Sequence, residues 1–538
     1  MSRKLVTLLL VAAAAAIAPA ATKPNILFCI SDDASYQHFS ANGCSWVQTP
    51  AFDRVAREGL RFARAYTPNA KCAPSRATVL TGRNSWQLEA AGDHGGYYPA
   101  GYRTFMEALG ANGYLTGFSG KGWGPGDPGL VDGKTRLLTG PAFSEIKTTP
   151  PTPNISPIDY AANLAEFIKK KPAGQPFCFW FGAHEPHRAY QYGSGVKVGR
   201  KSPSQIDRVP SFWPDTETVR NDMLDYALEV EYFDQQLGRM LDFLQQAGEL
   251  ENTIVIVTSD NGMPFPRAKG TTYELSLHMP FAIRWPAGIT QPGRTVQDYV
   301  SFIDIAPTLL DVAGLTAASV GMEPPQGRSL SKILQNKNGG QIEPGREILV
   351  VGQERHDLGR PNDVGYPARG LFSDGFLYVR NFEPTRWPMC DPVTGYLNTD
   401  GGPTKTEILA QNRLGINHAL WVLNFDRKPA DELYDLKRDP DCILNLAADP
   451  AYVARRDAMR ARLFAELRKQ GDPRMDGKGA IFDQYPHASA NRDFYNRWLK
   501  GERLKANWVV ETDFESPEFD PERPLRALSS PTPSEIKL

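Results

Sequence analysis

The chain has 538 residues, of which 41% are hydrophobic and 22% are charged. This composition supports a large core and argues against global disorder, and the length allows two to four domains or one large domain with an appendage. The 60 basic and 61 acidic residues leave a formal charge of −1, so no overall basic field recruits nucleic acid or an anionic polymer. Any recognition of an anion must therefore come from a local pocket.

The N-terminus has the pattern of a secretory signal peptide. Arg3 and Lys4 precede an apolar run over residues 5–17, and Ala18-Pro19-Ala20 supplies the small residues of a cleavage site after about Ala20. The run is short for a transmembrane anchor, and no other long apolar stretch follows. We therefore expect a secreted or periplasmic protein, with residues 1–20 as the signal peptide and no membrane span.

The six cysteines are few for a disulfide framework, and no CxxC or Cys/His cluster suggests zinc. Cys29 and Cys178 lie in apolar, strand-like runs and are predicted to be buried free thiols. Pairing among Cys44, Cys390 and Cys442 stays open at this stage, as does the oligomeric state.

Strands and helices alternate over roughly the first half of the chain. The buried-strand patterns span residues 25–31, 114–119, 177–182 and 253–259. The helical patterns span 49–62, the residues after Cys72, 102–111, 160–170 and 218–247, and 190–217 is predicted to be a long surface loop. This alternation predicts an α/β domain with a mostly parallel sheet between helices.

The pattern changes at about residue 363. Paired strands over 370–382, a short strand over 431–435 and a helix over 449–470 predict a smaller C-terminal α+β domain. We therefore place the large domain at 21–362, the smaller domain at 363–504 and an extended, proline-containing tail at 505–538.

Polar residues follow four of the predicted strands directly. Asp32–Asp33 and Asp260–Asn261 end two of them, and Lys121 and the segment 184–187 follow two others. Ligands of such folds bind outside the carboxyl ends of the strands, so we expect these residues to share one site. The oxygen ligands of the two acidic pairs suit Ca²⁺ or Mg²⁺ and not zinc, although a single aspartate is as often a cap or turn residue.

Residues 72–83 read Cys-Ala-Pro-Ser-Arg-Ala-Thr-Val-Leu-Thr-Gly-Arg. Pro74 fits the first position of a helix and Gly82 fits its left-handed cap. Cys72 would then lie at the positive end of a helix dipole, where a thiol pKa is lowered. The residues alone leave two interpretations of Cys72, a thiolate nucleophile and a buried cysteine at a helix end.

The string Cys72-x-Pro-Ser-Arg with Thr81-Gly-Arg83 resembles the signature of the type I sulfatases. The resemblance implies an alkaline-phosphatase/sulfatase-like fold and a formylglycine made from Cys72 by a formylglycine-generating enzyme. It also implies a bound Ca²⁺, with Mg²⁺ as the second choice. The metal motifs of the family match Asp32, Asp33, Asp260 and Asn261.

The resemblance further assigns roles to five residues. Arg76 and the metal polarise the attacking oxygen at position 72, and Lys121 and Lys269 bind the sulfate group, with Arg267 as the competitor of Lys269. His187 is the implied general acid for the leaving group.

One position departs from the family pattern. Most relatives carry Lys-x-His where this chain reads Lys121-Gly122-Trp123, and the family assigns that histidine to sulfate release. Because an indole moves no proton in this way, His94 or another group would have to substitute, or elimination would proceed through the metal-bound hydrate.

The resemblance covers most of residues 23–470 and comes nearest to the heparan N-sulfatases of the family. It rests on residues 183–188, 258–266 and 366–369, and it implies release of the N-sulfate of N-sulfoglucosamine. The candidate substrate-binding residues are His94, His184, Arg188, Glu354, Arg355, His356 and Arg369. The alternatives are a carbohydrate O-sulfatase, a phosphonate or phosphodiester hydrolase, and a non-catalytic Ca²⁺-dependent glycan-binding protein.

Overall fold

The computed structural model describes residues 23–516. The predicted signal peptide at 1–20 and residues 517–538 of the predicted tail lie outside this range. Among the described residues, no helix is both long and apolar enough to cross a membrane.

The strands in chain order are β1 (Asn25–Ser31), β2 (Leu60–Phe62), β3 (Ala65–Tyr66), β4 (Leu115–Gly120), β5 (Leu130–Val131), β6 (Lys134–Thr135), β7 (Phe177–Gly182), β8 (Thr253–Ser259), β9 (Phe281–Arg284), β10 (Arg294–Val296), β11 (Val300–Ser301), β12 (Ile348–Gln353), β13 (Ala368–Ser373), β14 (Phe376–Asn381) and β15 (Asp431–Asp435). The helices are α1 (Pro50–Glu58), α2 (Cys72–Thr81), α3 (Phe105–Ala111), α4 (Tyr160–Lys169), α5 (Ser194–Lys197), α6 (Glu217–Gln246), α7 (Glu274–Leu277), α8 (Ile305–Val312), α9 (Ser331–Gln335), α10 (Pro403–Arg413), α11 (His418–Phe425), α12 (Val453–Lys469) and α13 (Phe494–Leu499).

The central sheet has seven strands in the order β10-β2-β9-β8-β1-β7-β4. The strand β1 pairs in parallel with both β7 and β8, and only the two pairings of β9 are antiparallel. Side chains of β1 alternate between two cores: Leu27 and Cys29 share one with α6, and Ile26, Phe28 and Ile30 share the other with α3 and α8. The predicted mostly parallel sheet between helices is thus confirmed.

A second, antiparallel sheet of four strands follows in the order β12-β13-β14-β15. Leu463 and Leu467 of α12 pack on Leu371 of β13 and Leu433 of β15, which gives the predicted α+β arrangement. Its first strand, Ile348–Gln353, precedes residue 363, and the domain boundaries themselves stay predictions.

The structure corrects the helix predicted over residues 49–62. Helix α1 ends at Glu58, and Leu60 and Phe62 enter the sheet as β2. The change falls at Gly59, where a Cβ atom would lie 2.0 Å from the carbonyl oxygen of Ile283. Only glycine allows the chain to approach β9 this closely, so the helix ends here.

Three smaller expectations are also resolved. Helix α2 begins at Cys72 and not at Pro74, and Gly82 closes it in the left-handed conformation as predicted. The loop 190–217 contains the short helix α5. All six cysteines are free, and Cys29 and Cys178 are buried as predicted.

Candidate active site

The two acidic pairs, Asp32–Asp33 and Asp260–Asn261, follow the neighbouring parallel strands β1 and β8 and so lie at one edge of the sheet. Ser31, the last residue of β1, pairs with Ser259, the last residue of β8. Asp32 and Asp33 therefore emerge beside Asp260, and the backbone N–H of Asp33 donates to Oδ1 of Asp260 at 3.0 Å. Asp33 adopts φ 75°, a left-handed conformation that costs a non-glycine residue on the order of 1–3 kcal/mol and marks a functionally constrained position.

The acidic residues form a cluster with the composition of a hard-cation site. Carboxylate oxygens of Asp32, Asp33 and Asp260 lie within 4.8 Å of one another. Asn261 Nδ2 donates to Asp33 Oδ1 at 2.7 Å, whereas its own Oδ1 is buried without a hydrogen-bond partner. A buried amide oxygen without a hydrogen-bond partner is unfavourable unless another group, such as a cation, binds it. The residues therefore fit Ca²⁺ or Mg²⁺.

Helix α2 brings the cysteine to this cluster. Cys72 Sγ lies 3.9 Å from Asp33 Oδ1. One turn later, the buried guanidinium of Arg76 donates to Asp260 Oδ2 at 2.8 Å, to Asp32 Oδ1 at 3.3 Å and to the carbonyl of Lys121 at 2.9 Å. Arg76 thus ties the start of α2 to three of the predicted site residues.

Two lysines lie on opposite carboxylates of the cluster. Lys121 Nζ donates to both oxygens of Asp32, at 2.9 and 2.7 Å. Lys269 Nζ donates to Asp33 Oδ2 at 2.6 Å. Arg267, its competitor in the sequence, points away and donates to the carbonyls of Leu423 and Cys442. Lys269 is therefore the one of the two that lies in the site.

The imidazole of His187 faces the same cluster. Its Nδ1 lies 2.7 Å from the carbonyl oxygen of Arg188, so Nδ1 carries the proton. Its Nε2 is 3.3 Å from Lys269 Nζ and 3.7 Å from Asp33 Oδ2. His187 therefore presents Nε2 to the centre of the site.

Ion pairs set the charges of these groups. Burial opposes ionisation of Asp32, yet Lys121 and Arg76 outweigh it and hold the pKa of Asp32 well below its usual range. Burial likewise opposes the charge on Lys269, but Asp33 and Asp400 hold its pKa well above the usual value. Asp32 and Lys269 thus stay charged in a buried setting, whereas burial and the charge of Asp32 raise the pKa of Asp260 to about 7.

The expectation of a lowered thiol pKa at Cys72 is wrong. Burial, followed by the negative charge of Asp32, raises the pKa of the Cys72 thiol. These two effects exceed the opposing influence of Lys121 and Lys269, which lower the pKa. The structure therefore does not favour a thiolate nucleophile at this position.

Two site residues were missed from the sequence. Asp400 accepts from Lys269 Nζ at 2.8 Å, and the ring of Trp508 meets the ring of His187 edge-on at 4.8 Å. Both come from segments without a strand-end or motif signal: Asp400 lies between Cys390 and α10, and Trp508 lies in the predicted tail. No periodicity or spacing pointed to either residue.

Trp123, which departs from the family pattern, has a structural contact at the site. Its Nε1 donates to the carbonyl oxygen of Ala73 at 3.0 Å, and its ring meets Tyr98 edge-on. The indole therefore supports the first turn of α2, on which Cys72 lies.

The seven candidate substrate-binding residues differ in the solvent exposure of their side chains. His184 is exposed, and His94 is half-buried with its Nδ1 3.2 Å from Asp357 Oδ1. His94 and Asp357 line a cavity of about 290 Å³. Arg188 is instead buried in a two-bond ion pair with Asp222, at 2.8 and 2.7 Å. Only the first two present a free face.

The other four candidates are buried and paired. Arg369 is fully buried and pairs with Glu354 at 2.6 Å and Asp472 at 2.7 Å. Arg355 pairs with Asp93, and His356 Nε2 lies 2.7 Å from Asn69 Oδ1. Their burial and these pairs favour structural roles, and direct contact with a sugar stays a prediction.

A family model and several known proteins match more than half of this chain. The family model described as Sulfatase matches residues 24–315. The chain is 27% identical to the N-sulphoglucosamine sulphohydrolase of Homo sapiens over 486 residues, which cover 84% of this chain and 91% of that protein. It is 26% identical to an ulvan-active sulfatase of Formosa agariphila over 464 residues, covering 84% of this chain and 81% of that protein.

Solved structures share the fold. One protein, solved in complex with its substrate D-glucosamine-2-N,6-O-disulfate, aligns with a TM-score of 0.60 at 20% identity, covering 85% of this chain and all of that one. The phosphonate monoester hydrolase of Agrobacterium radiobacter aligns with a TM-score of 0.56 at 19% identity, covering 83% of this chain and 96% of that one. These similarities confirm the predicted fold class.

Proposed function

Because this chain belongs to the sulfatase family of sulfuric ester hydrolases, we propose that it removes sulfate from sulfated glycans, and specifically the N-sulfate of N-sulfoglucosamine. The observation that carries the proposal is the arrangement around Cys72, where Arg76, Lys121, Lys269 and His187 surround one acidic cluster. The similarity to the human N-sulphoglucosamine sulphohydrolase over 84% of the chain supports the choice of substrate. Secretion through the predicted signal peptide belongs to the same proposal.

Position 72 supplies the nucleophile in this proposal. The Sγ atom of Cys72 marks where the formylglycine oxygens would lie after maturation by a formylglycine-generating enzyme. Formylglycine contributes an oxygen nucleophile that is regenerated after each turnover. The burial and raised pKa of the Cys72 thiol support this chemistry over direct attack by a thiolate.

The other charged residues of the site have separate roles in this proposal. Lys121 and Lys269 point at the cluster from two sides, which suits the stabilisation of charge on sulfuryl oxygens. Nε2 of His187 faces the centre and is placed to protonate the departing nitrogen or oxygen. Arg76 orients the nucleophile's helix through Asp260 and Asp32.

Asp32, Asp33, Asp260 and Asn261 would hold Ca²⁺, or Mg²⁺ as the second choice. A divalent cation there would act as a Lewis acid on the reacting oxygens. The partnerless, buried Oδ1 of Asn261 supports its role as a ligand.

Adding Ca²⁺ should raise the thermal unfolding midpoint of the wild-type protein, because a ligand that binds only the folded state stabilises it by about 2.7 kcal/mol at a hundredfold excess over Kd. Asn261→Ala should lose most of this shift. The matched control is Asn163→Ala, which removes a buried asparagine that donates to Ile146 and Asp159 carbonyls outside the site. An equal Ca²⁺-induced shift in Asn261→Ala and wild type would remove Asn261 from the ligand set.

Sulfate release from glucosamine N-sulfate and from 6-O-sulfated N-acetylglucosamine tests the substrate. The protein should be co-expressed with a formylglycine-generating enzyme, and peptide mass should confirm conversion of Cys72. We expect release from the N-sulfate. Release only from the O-sulfate would keep the chemistry and overturn the substrate, and failure on both with Cys72 converted would contradict the proposal for these sugars.

A carbohydrate O-sulfatase is the second candidate function. It is favoured by similarity to an N-acetylglucosamine-6-O-sulfatase of Bacteroides thetaiotaomicron, at 28% identity over 62% of this chain. The O-sulfated sugar in the same assay decides between the two functions.

A further inference from the structure

The cavity of about 290 Å³ that contains His94 lies near the Cys72 site, and two contacts connect its lining with that site. Asp357, in its lining, pairs with Lys71, the residue before Cys72. Asn507, also in its lining, precedes Trp508, whose ring contacts His187. The cavity is therefore positioned to hold the part of a substrate that extends away from the reacting group.

Residues 487–508, here called the C-terminal wall, contribute half of the fourteen residues that line this cavity. The wall is anchored at both ends. The backbone N–H of Ala488 donates to the carbonyl of Gly95 at 2.8 Å, and the N–H of Gly401 donates to the carbonyl of Asn507 at 2.8 Å. The family model assigns no function to this segment, because the model matches residues 24–315.

The C-terminal wall is basic although the chain as a whole is not. Its 22 residues include five basic and two acidic side chains, whereas the full sequence has a formal charge of −1. Glu502 pairs with Arg497 at 2.8 Å, and Arg503 lies over the ring of Trp498. Arg492, Lys500 and Lys505 are exposed and form no ion pair with any residue from 23 to 516.

Two of these free cations flank the cavity. Arg492 follows Asn491 and Lys505 precedes Ala506, and both neighbours line the cavity. Asn491 Nδ2 donates to the carbonyl of Lys505 at 2.9 Å, which holds the two stretches side by side. Two like charges that a fold brings together without an acidic partner favour an anionic ligand between or beside them.

The rest of the cavity lining contains one carboxylate, that of Asp357, which is paired with Lys71. It is formed in part by Pro125 and Gly126, and the neighbouring Asp127 accepts a hydrogen bond from the N–H of Gly129 at 2.8 Å. Trp508, which follows the lining residue Asn507, keeps 47% of its surface exposed beside His187. An exposed indole face is a suitable platform for a sugar ring.

We propose that the C-terminal wall binds an extended, polyanionic glycan, with Trp508 under the sugar that carries the reacting sulfate and with Arg492 and Lys505 on anionic groups of the adjoining sugars. The inference rests on the proposed function and adds to it that the preferred substrate is a chain and not a single sugar. Recognition is local, which agrees with the near-zero charge of the whole protein.

Binding of size-defined heparin hexasaccharide and disaccharide, measured by titration calorimetry, tests this proposal without requiring turnover. Arg492→Ala/Lys505→Ala should weaken binding of the hexasaccharide roughly tenfold and of the disaccharide much less, because two exposed charge contacts are lost. The difference should shrink in about 0.5 M salt, where screening is strong. Trp508→Ala should weaken binding of both lengths.

The matched control is Lys332→Ala/Lys337→Ala, which removes one exposed lysine of α9 and one exposed lysine just after it, both outside the cavity lining. It should bind the hexasaccharide within twofold of wild type. Equal hexasaccharide affinity in Arg492→Ala/Lys505→Ala and wild type, or an equal loss in the control, would overturn the proposal. Sulfate release from the single sugars is measured separately, so a failure of the proposed function is distinguishable from a failure of the wall.

Discussion

Replacing Cys72 with alanine should abolish sulfate release, with a loss of at least about 10⁴-fold in kcat. The physical reason is that a residue supplying the nucleophile has no replacement among the neighbouring side chains: Lys121, Lys269 and Arg76 are held as cations by carboxylates. Loss of a catalytic nucleophile elsewhere has cost up to about 10⁶-fold in kcat. The measurement is kcat for sulfate release from glucosamine N-sulfate, with the fully matured wild type as the reference.

Cys44→Ala is the matched control for this result. Cys44 is another free cysteine, half-buried and outside the active site, so its loss should leave kcat within about twofold. Alkylation of the wild type adds an independent check, because a formylglycine enzyme should resist thiol reagents. Persistent turnover in Cys72→Ala would refute a nucleophile at position 72, and inactivation by alkylation at Cys72 would restore the thiol hydrolase interpretation.

Replacing Arg369 with alanine should lower the free energy of unfolding by about 3–5 kcal/mol. Arg369 is fully buried, and its removal leaves the carboxylates of Glu354 and Asp472 in a low-dielectric interior without this partner. Arg474 still pairs with Glu354, so the greater cost falls on Asp472. Urea denaturation measures the effect, because the unfolding midpoint and the slope of the free energy against urea concentration give the free energy of unfolding.

Arg380→Ala is the control for Arg369→Ala. The two arginines are direct cross-strand partners on β13 and β14, but Arg380 is 29% exposed and pairs with Asp431. Its loss should cost less than about 1 kcal/mol, as for other solvent-accessible ion pairs. A stable Arg369→Ala protein with a raised KM would instead return Arg369 to the substrate-binding residues.

The sequence by itself determined the centre of the site. Apolar runs that stop at Ser31 and Ser259 located the ends of two buried strands, and parallel pairing necessarily brings the residues after them together. The same local patterns located the helix after Cys72 and its cap at Gly82, although the helix begins at Cys72 itself and not at the predicted Pro74. These features depend on the periodicity of hydrophobic residues in short segments and on the backbone conformations that particular residues favour. They can therefore be predicted without a structure.

Only the tertiary structure decided the surroundings of the site. Asp400 contacts Lys269 and Trp508 contacts His187, each from a segment more than 100 residues away in the sequence. No periodic pattern in these segments predicts the contacts. The exposure of the charged side chains could not be predicted either. The sequence does not distinguish a charged residue that faces a ligand from one that, like Arg369, faces a buried partner. Local pattern therefore determined which groups meet at the strand ends, and long-range packing decided which of the remaining charged groups are free to bind a substrate.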